Sequence, residues 1–382
     1  MPEHRVLSRL TPDNSLAVRK HKSQSIEDSN VLIRMSSVGI CGTDLAMLSG
    51  KRAVQAEILG HEGVGKIAQA PEGWPIPVGT RVVINPVHRI RPGVVIGHSS
   101  DGVLREWFWL NANEADTGEL LVRCPDGCTL EDTELVLAEP LGSVLYSLEL
   151  LRRNSAGSGL LIRGSGTIGI LAAVAWSRFM TTPVLLVAGS EEHAEWLSAF
   201  SNWPANVFIC STTNLQDTIR EHSLASRLTA AILCSSRAEA PEGLRLLLDV
   251  LPDGATIDLM AGFPTEYKEG RIPEVNLDQV RWKNSCGTNF SPATTISDRV
   301  TNKSMFLLGH RGTAKRHILD AIQVLSSGAV SKSHLPHCFL TLEQLPEAVT
   351  NMLCNQRRHG MKFVKAIVDF SRDNLGKPVA YC

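Results

Sequence analysis

Apolar and polar positions change rhythm twice along the chain. Before about residue 140, short apolar runs alternate in part and are cut by Gly and Pro: Val31–Val38 ending at Gly39, Gly63–Ala68, and Gly79–Asn85 opened by a turn. They predict strands in an irregular antiparallel body with little helix. Leu135, Leu141, Leu145 and Leu148 then fall at helical spacing and predict a helix over Glu131–Leu151. Beyond it, strand-like runs at Gly159–Arg163, Pro183–Val187, Ala230–Cys234 and Ala255–Leu259 alternate with helix-like segments at Ile170–Phe179, Glu191–Ala199 and Glu242–Leu251. That alternation predicts a parallel sheet with helices on both faces. From about residue 285 the texture is mixed again, with amphipathic helices predicted over Ala314–Leu325 and Leu345–Leu353. We find no internal repeat. The plan is a nucleotide-binding domain inserted into a discontinuous second domain.

Composition narrows the class. The 382 residues carry 38 Lys and Arg against 39 Asp and Glu, a net charge of −1. Phosphate backbones need a cationic face, so nucleic acid is not the expected partner. The nine cysteines are dispersed, unlike a secreted disulfide framework. Cys124-Pro-Asp-Gly-Cys128 has no second pair nearby and reads as a turn. Met1-Pro-Glu-His-Arg5 holds no apolar signal region, and the most apolar stretch, Leu160–Trp176, is interrupted by Arg163 and glycines and is too short to span a bilayer. A soluble, reduced, cytoplasmic protein without a membrane partner is expected.

Gly164-Ser165-Gly166-Thr167-Ile168-Gly169 is G-x-G-x-x-G, placed between a predicted strand and a predicted helix. Gly164 would permit the tight turn, Gly166 would admit a pyrophosphate to the backbone, and Gly169 would let helix and strand pack closely. The helix opening at Thr167 and Ile168 would offer free N–H groups to the phosphates. About 20 residues on, Gly189-Ser190-Glu191-Glu192 sends mixed signals. Gly189 and Ser190 favour NADP; the two glutamates and the missing Arg favour NAD. The choice between NAD and NADP stays open.

Three upstream segments carry thiol, imidazole and carboxylate: Gly39-Ile-Cys41-Gly-Thr43-Asp44, Gly60-His61-Glu62-Gly63 and Ala138-Glu139-Pro140. Singly they fit a core cysteine or a surface pair; together they are the donor types of a catalytic zinc with one open position. With the glycine motif, Asp101-Gly-Val-Leu-Arg-Glu-Trp107 and the C-terminal Ser327-Gly328, Leu345 and Glu347-Ala348, they resemble the zinc-dependent medium-chain dehydrogenase/reductase superfamily, on its sorbitol/threonine dehydrogenase side. The resemblance spans nearly the whole chain.

It implies an α/β chain with a GroES-like, mainly β catalytic domain plus a Rossmann doubly wound parallel-sheet domain, bounded at 1–147, 148–285 and 286–382. It implies zinc on Cys41, His61 and Glu139, with Glu62 as an alternative or exchanging ligand. Asp44 would orient His61, and Thr43 would hydrogen-bond the substrate hydroxyl. The implied reaction is hydride transfer between NAD(P) and a secondary alcohol or ketone, such as a polyol, sugar, cyclitol or amino alcohol, in a homodimer or homotetramer. Zinc as a Lewis acid would lower the hydroxyl pKa, and the cofactor would carry the hydride.

Two departures matter. Asn85–Asp101 contains no cysteine where relatives bind a structural zinc, so one zinc per chain is expected. Ala46 stands where many relatives place a relay histidine. The shortened segment is basic, with His88, Arg89, Arg91 and His98, and reads either as a solvated loop or subunit contact or as the site of an anionic substrate group. His310-Arg311-Gly312-Thr313 is open between a substrate contact and a turn. A zinc-free reductase of the quinone-reductase type and a non-catalytic NAD(P)-binding protein are the alternatives to a zinc dehydrogenase.

Overall fold

A computed structural model of the chain describes residues 3–10, 15–22, 27–154, 159–200, 202–287, 290–355, 363–372 and 379–381. It divides into two compact units, 1–142 with 314–382, and 143–313.

The first unit opens with an antiparallel hairpin, β1 (His4–Leu10) and β2 (Ser15–His21). The long strand β3 (Asn30–Ile40) is central to an eight-stranded sheet. It is buried on both faces, which is why its sequence alternates only in part. A short helix, α1 (Gly42–Leu48), follows at once. β4 (Glu62–Gln69) pairs antiparallel with β3, and β5 (Arg81–Ile84) pairs with β4. β6 (Trp107–Asn111) pairs with β3 off the main path. Helix α2 (Ala112–Thr117) leads to β7 (Leu121–Arg123), which pairs with β5. Cys124–Cys128 is the expected turn, closed by the Cys128 N–H on the Pro125 carbonyl at 3.2 Å.

The helix predicted over Glu131–Leu151 is two helices, α3 (Asp132–Leu135) and α4 (Ala138–Asn154). Pro140 has no N–H to give the Val136 carbonyl, so a helix cannot run through; it sits instead in the first turn of α4, where no donor is needed. The scarcity of helix expected early in the chain also needs amending, since α1 and α2 were not anticipated.

The second unit carries β8 (Leu160–Arg163), α5 (Thr167–Phe179), β9 (Val184–Ala188), α6 (Glu191–Ser198), β10 (Val207–Ser211), α7 (Leu215–Glu221), β11 (Ala230–Leu233), α8 (Ala240–Val250) and β12 (Thr256–Leu259). Helix α9 (Leu277–Trp282) and strands β13 (Thr294–Ser297) and β14 (Ser304–Leu308) follow. The sheet order is β10-β9-β8-β11-β12-β14-β13, all parallel except β13. This is the doubly wound pattern in which strand order reverses beside the first strand, so β8 and β11 flank the switch point. The strands are buried throughout, as their unbroken apolar runs require.

The chain returns to the first unit with α10 (Lys315–Ser326), β15 (His337–Leu340), α11 (Leu345–Asn355), β16 (Lys365–Asp369) and β17 (Val379–Tyr381). β16 lies antiparallel to β3, with Ala366 opposite Ile40. The return falls at 314, later than the 286 anticipated, because β13 and β14 extend the parallel sheet rather than leaving it. Among the described residues no helix is long and apolar enough to cross a membrane.

Candidate metal centre and nucleotide loop

Pairing of β3 with β4 sets Gly39 opposite Glu62. The residue just past the end of β3 and the residue just before β4, Cys41 and His61, are thereby brought together. The donor atoms of Cys41, His61 and Glu62 all lie within 4.8 Å of one another, and His61 and Glu62 are buried. Asp44 ties the two loops. Its carboxylate accepts the Cys41 N–H at 2.9 Å and the Gly60 N–H at 3.3 Å, and stands 3.5 Å from His61 Nδ1. That last distance is an electrostatic contact more than a hydrogen bond.

Charge sets the protonation tendencies. Burial would lower the pKa of His61, but the Asp44 carboxylate raises it well above the ordinary imidazole value. Burial would raise Cys41; the hydrogen bond and charge of His61, with help from Lys365, bring its thiol below the ordinary value, toward thiolate. Burial would raise Asp44 as well, and His61 and the Cys41 N–H pull it down instead.

Glu62 is not left to the cluster alone. Lys365, fully buried on β16, ion-pairs with it and donates to the Ile40 carbonyl at 3.3 Å. Burial pushes the Lys365 ammonium down to about 8, against the pull of Cys41 and Asp44. Gly39 makes the pair possible, since a Cβ there would run into the Glu62 carboxylate and lie 2.9 Å from Lys365 Nζ. Sequence reading missed Lys365. The signal was a lysine inside the otherwise apolar strand run Lys365-Ala-Ile-Val.

Glu139, in the first turn of α4, is outside the three-donor group, yet it feels the charges of His61 and Asp44. Burial raises its pKa, with Asp44 adding to the rise and His61 opposing it. Thr43 is half-buried in the first turn of α1, between Cys41 and Asp44. Ala46 lies on the same helix. His98 comes to the centre from the shortened segment: its ring meets the His61 ring edge-on, with centroids 4.8 Å apart. The rest of that basic segment is engaged elsewhere. Arg89 pairs with Glu119 at 2.7 Å, Arg91 pairs with Glu114, and His88 Nε2 lies 3.6 Å from Glu114.

In the second unit, the glycine loop follows β8 directly. Gly164 has φ +129°, and a Cβ on it would sit 2.6 Å from the Cys234 backbone. A Cβ on Gly169 would strike the Gly164 carbonyl, so this glycine is needed for helix α5 to leave the strand. Gly166, the N-cap of α5, faces open space. Thr167 and Ile168 are half-buried at the helix start. Gly189 and Ser190 are exposed past β9, and the Ser190 hydroxyl caps α6 by accepting the His193 N–H at 3.3 Å. Glu191 accepts from Asn214 at 3.1 Å. Within 310–313, His310 is buried against Asp258 at 3.4 Å, Arg311 stacks on Trp282 at 4.5 Å, and Gly312 has φ +66°.

Comparison with known proteins agrees with this geometry. The model of the alcohol dehydrogenase GroES-like domain family matches residues 27–115. An uncharacterized zinc-type alcohol dehydrogenase-like protein of Haemophilus influenzae is 30% identical over 361 residues, covering 90% of this chain and 93% of that protein. The chain belongs to the zinc-type alcohol dehydrogenases of the medium-chain dehydrogenase/reductase superfamily. Two solved structures share the fold. One is an alcohol dehydrogenase of Escherichia coli CFT073 complexed with NADH (TM-score 0.70, 17% identity, 96% of this chain and 99% of that one). The other, described as a zinc-binding dehydrogenase of Sinorhizobium meliloti 1021 bound to NADP, has a TM-score of 0.70 at 18% identity, covering 97% and 100%. The zinc-type alcohol dehydrogenase is thus an NAD(P)-dependent oxidoreductase with a GroES-like domain and a doubly wound domain.

Proposed function

We propose that this dehydrogenase holds one catalytic zinc on Cys41, His61 and Glu139, and interconverts a secondary alcohol and its ketone. A polyol, sugar, cyclitol or amino alcohol is the substrate class. The grouping of the Cys41 thiol, the His61 imidazole and the Glu62 carboxylate within 4.8 Å supports the centre most directly, and the charges of His61 and Asp44 felt by buried Glu139 support its part in it. The donor set fits zinc: soft sulfur, borderline nitrogen and carboxylate oxygen, with the thiol already drawn toward its charged form. Between the two glutamates, Glu139 gains more from a cation. Glu62 is already balanced by Lys365, whereas burial holds the Glu139 carboxyl toward its neutral form. Glu62 is the exchanging ligand.

Zinc held there would supply the Lewis acidity that eases deprotonation of the substrate hydroxyl, and NAD(P) held by the glycine loop would supply the hydride acceptor. Asp44 fixes the spacing of the Cys41 and His61 loops and orients the imidazole. Thr43 hydrogen-bonds the substrate hydroxyl. In the second unit, Gly164, Gly166, Thr167, Ile168 and Gly169 receive the pyrophosphate, and Gly189 and Ser190 the adenosine ribose of NAD or NADP. The enzyme works in the cytoplasm as a homodimer or homotetramer.

Elemental analysis of purified protein, followed by a reduced-nicotinamide absorbance screen against polyols and ketones, tests this reading. One zinc per chain and turnover abolished by chelation are expected. Chelator-insensitive turnover would favour a zinc-free reductase instead, and cofactor binding without any turnover a non-catalytic protein.

A further inference from the structure

NAD and NADP differ at one group of the adenosine ribose, a 2′-hydroxyl in the first and a 2′-phosphate in the second. In a doubly wound sheet that ribose lies at the end of the second strand, where an acid holds the hydroxyl of NAD. Here the second strand, β9, ends in Ala188-Gly189-Ser190, which offers no acid. The next side chains are engaged: the Ser190 hydroxyl accepts the His193 N–H at 3.3 Å, and Glu191 accepts from Asn214 at 3.1 Å. A carboxylate reaches the place from another strand end. Glu239 is the N-cap residue of α8, yet its side chain makes no hydrogen bond to the helix it opens. Oε2 accepts the Ser236 hydroxyl at 2.9 Å. Oε1 stands 3.8 Å from where a Cβ on Gly189 would be. Chain neighbours apart, no other atom of the described residues comes within 4 Å of that point. Gly189 and Glu239 are both exposed, so a ligand can reach the space between them. Arg237, the basic residue nearby in sequence, is turned away and donates to the Phe263 carbonyl at 2.5 Å.

We propose that Glu239 is the acid that holds the adenosine ribose, and that it selects NAD over NADP. This deepens the dehydrogenase reading and rests on it. A carboxylate only accepts hydrogen bonds, and the 2′- and 3′-hydroxyls of NAD can donate them. Such charge-assisted bonds are stronger than neutral ones. A 2′-phosphate in the same place would meet a like charge and find no basic partner beside Gly189. The Ser236 hydroxyl fixes the carboxylate through Oε2 and leaves Oε1 for the ribose. Glycine at 189 suits this arrangement, because an acid there would set two carboxylates against each other. Glu239 is thus a specificity-determining residue, supplied by the start of α8 in place of the end of β9.

The purified full chain is titrated with NADH and, separately, with NADPH, and binding is followed by fluorescence. Wild type should bind NADH about tenfold or more tighter than NADPH. Glu239→Gln keeps the length of the side chain and an oxygen for Ser236, and should lower that ratio about tenfold. Adding Gly189→Asp to Glu239→Gln returns a carboxylate from the other side of the gap and should restore the preference for NADH. Gly189 lies outside the left-handed region, so its backbone accepts the aspartate. A ratio of two affinities is insensitive to partial loss of folded protein, and a purely structural role of Glu239 would not be rescued from position 189. Three results overturn the proposal: a wild type that binds NADPH as tightly as NADH or more so, a ratio unchanged in Glu239→Gln, or a ratio that Gly189→Asp does not restore. None of them touches the dehydrogenase reading, which fails separately if wild type binds neither cofactor.

Discussion

The two candidate sites of this chain are built by opposite means. The metal centre is an arrangement of side-chain charges. Cys41, Asp44, His61, Glu62 and Lys365 come from three separate stretches and set one another's protonation tendencies. The nucleotide loop is an arrangement of backbone. Six consecutive residues suffice, and two of them are glycines because a Cβ would meet main-chain atoms. Charges gathered in a buried place depend on partners far away in sequence, so one removal unbalances the rest. A backbone turn depends on local sterics, so damage there stays local. Function in the first region should be fragile to loss of charge, and in the second to added volume.

The largest effect tests the first half of that contrast. His61→Ala should abolish zinc retention, measured by elemental analysis, and lower kcat/KM by about a thousandfold or more. Lewis-acid assistance is worth several kcal/mol, and each 1.36 kcal/mol is about tenfold in rate. Retention of stoichiometric zinc by this variant would remove His61 from the centre.

Lys365→Met comes next. It strips the buried Glu62 of its cation and should cost about 3–5 kcal/mol of stability, read from the urea midpoint. Adding Glu62→Gln should recover most of that loss, because a neutral amide needs no counter-charge. Non-recovery in the double variant would mean that Lys365 acts through packing rather than through Glu62.

This contrast also explains what was legible in the sequence. The glycine loop could be read locally, since strand, six residues and helix are contiguous, and Gly164 and Gly169 each have a steric reason. The repeating strand–helix pattern likewise carried the parallel sheet. Cys41, His61 and Glu62 were recognisable as motifs, and the β3–β4 pairing that joins them is a register no single motif displays. Lys365 stood out as a lysine in an apolar run, but its partner did not: Glu62 lies 303 positions away, and only the antiparallel placement of β16 beside β3 brings the two together. Helix ends failed for a different reason: apolar spacing at Leu135 and Leu141 continues across Pro140, while the hydrogen-bond ladder does not. The late return of the chain was hidden because β13 and β14 are short and lie apart from the strand–helix rhythm.

The second half of the contrast is sharpened by Gly169→Ala. A single methyl group would press on the Gly164 carbonyl, which is main chain and cannot swing aside. The expected cost is about 1–3 kcal/mol of stability, typical of overpacking, together with a weaker NAD(P)H affinity measured by fluorescence titration. Zinc content should be untouched. If zinc were lost along with cofactor affinity, the independence of the two sites would be refuted.

The smallest effect asks whether charge matters in the second unit outside its cofactor loop. Asp298 is fully buried and pairs with Arg271 at 2.5 Å, with the Thr301 hydroxyl also donating to it. The Arg271 hydrogen bonds hold its carboxyl well below the usual carboxylate range, outweighing burial. A depressed folded pKa means that the unfolded chain takes up the proton first. The stabilisation is therefore complete above the unfolded value of about 3.9 and is lost as pH falls from there toward the folded value. Wild type should lose urea stability steeply below about pH 4, and Asp298→Asn should be less stable at neutral pH with a flatter acid limb. NAD(P)H affinity at neutral pH should not change, because nothing in the glycine loop leans on this pair. A variant whose stability loss is the same at acid and neutral pH would show that Asp298 works by shape rather than by charge.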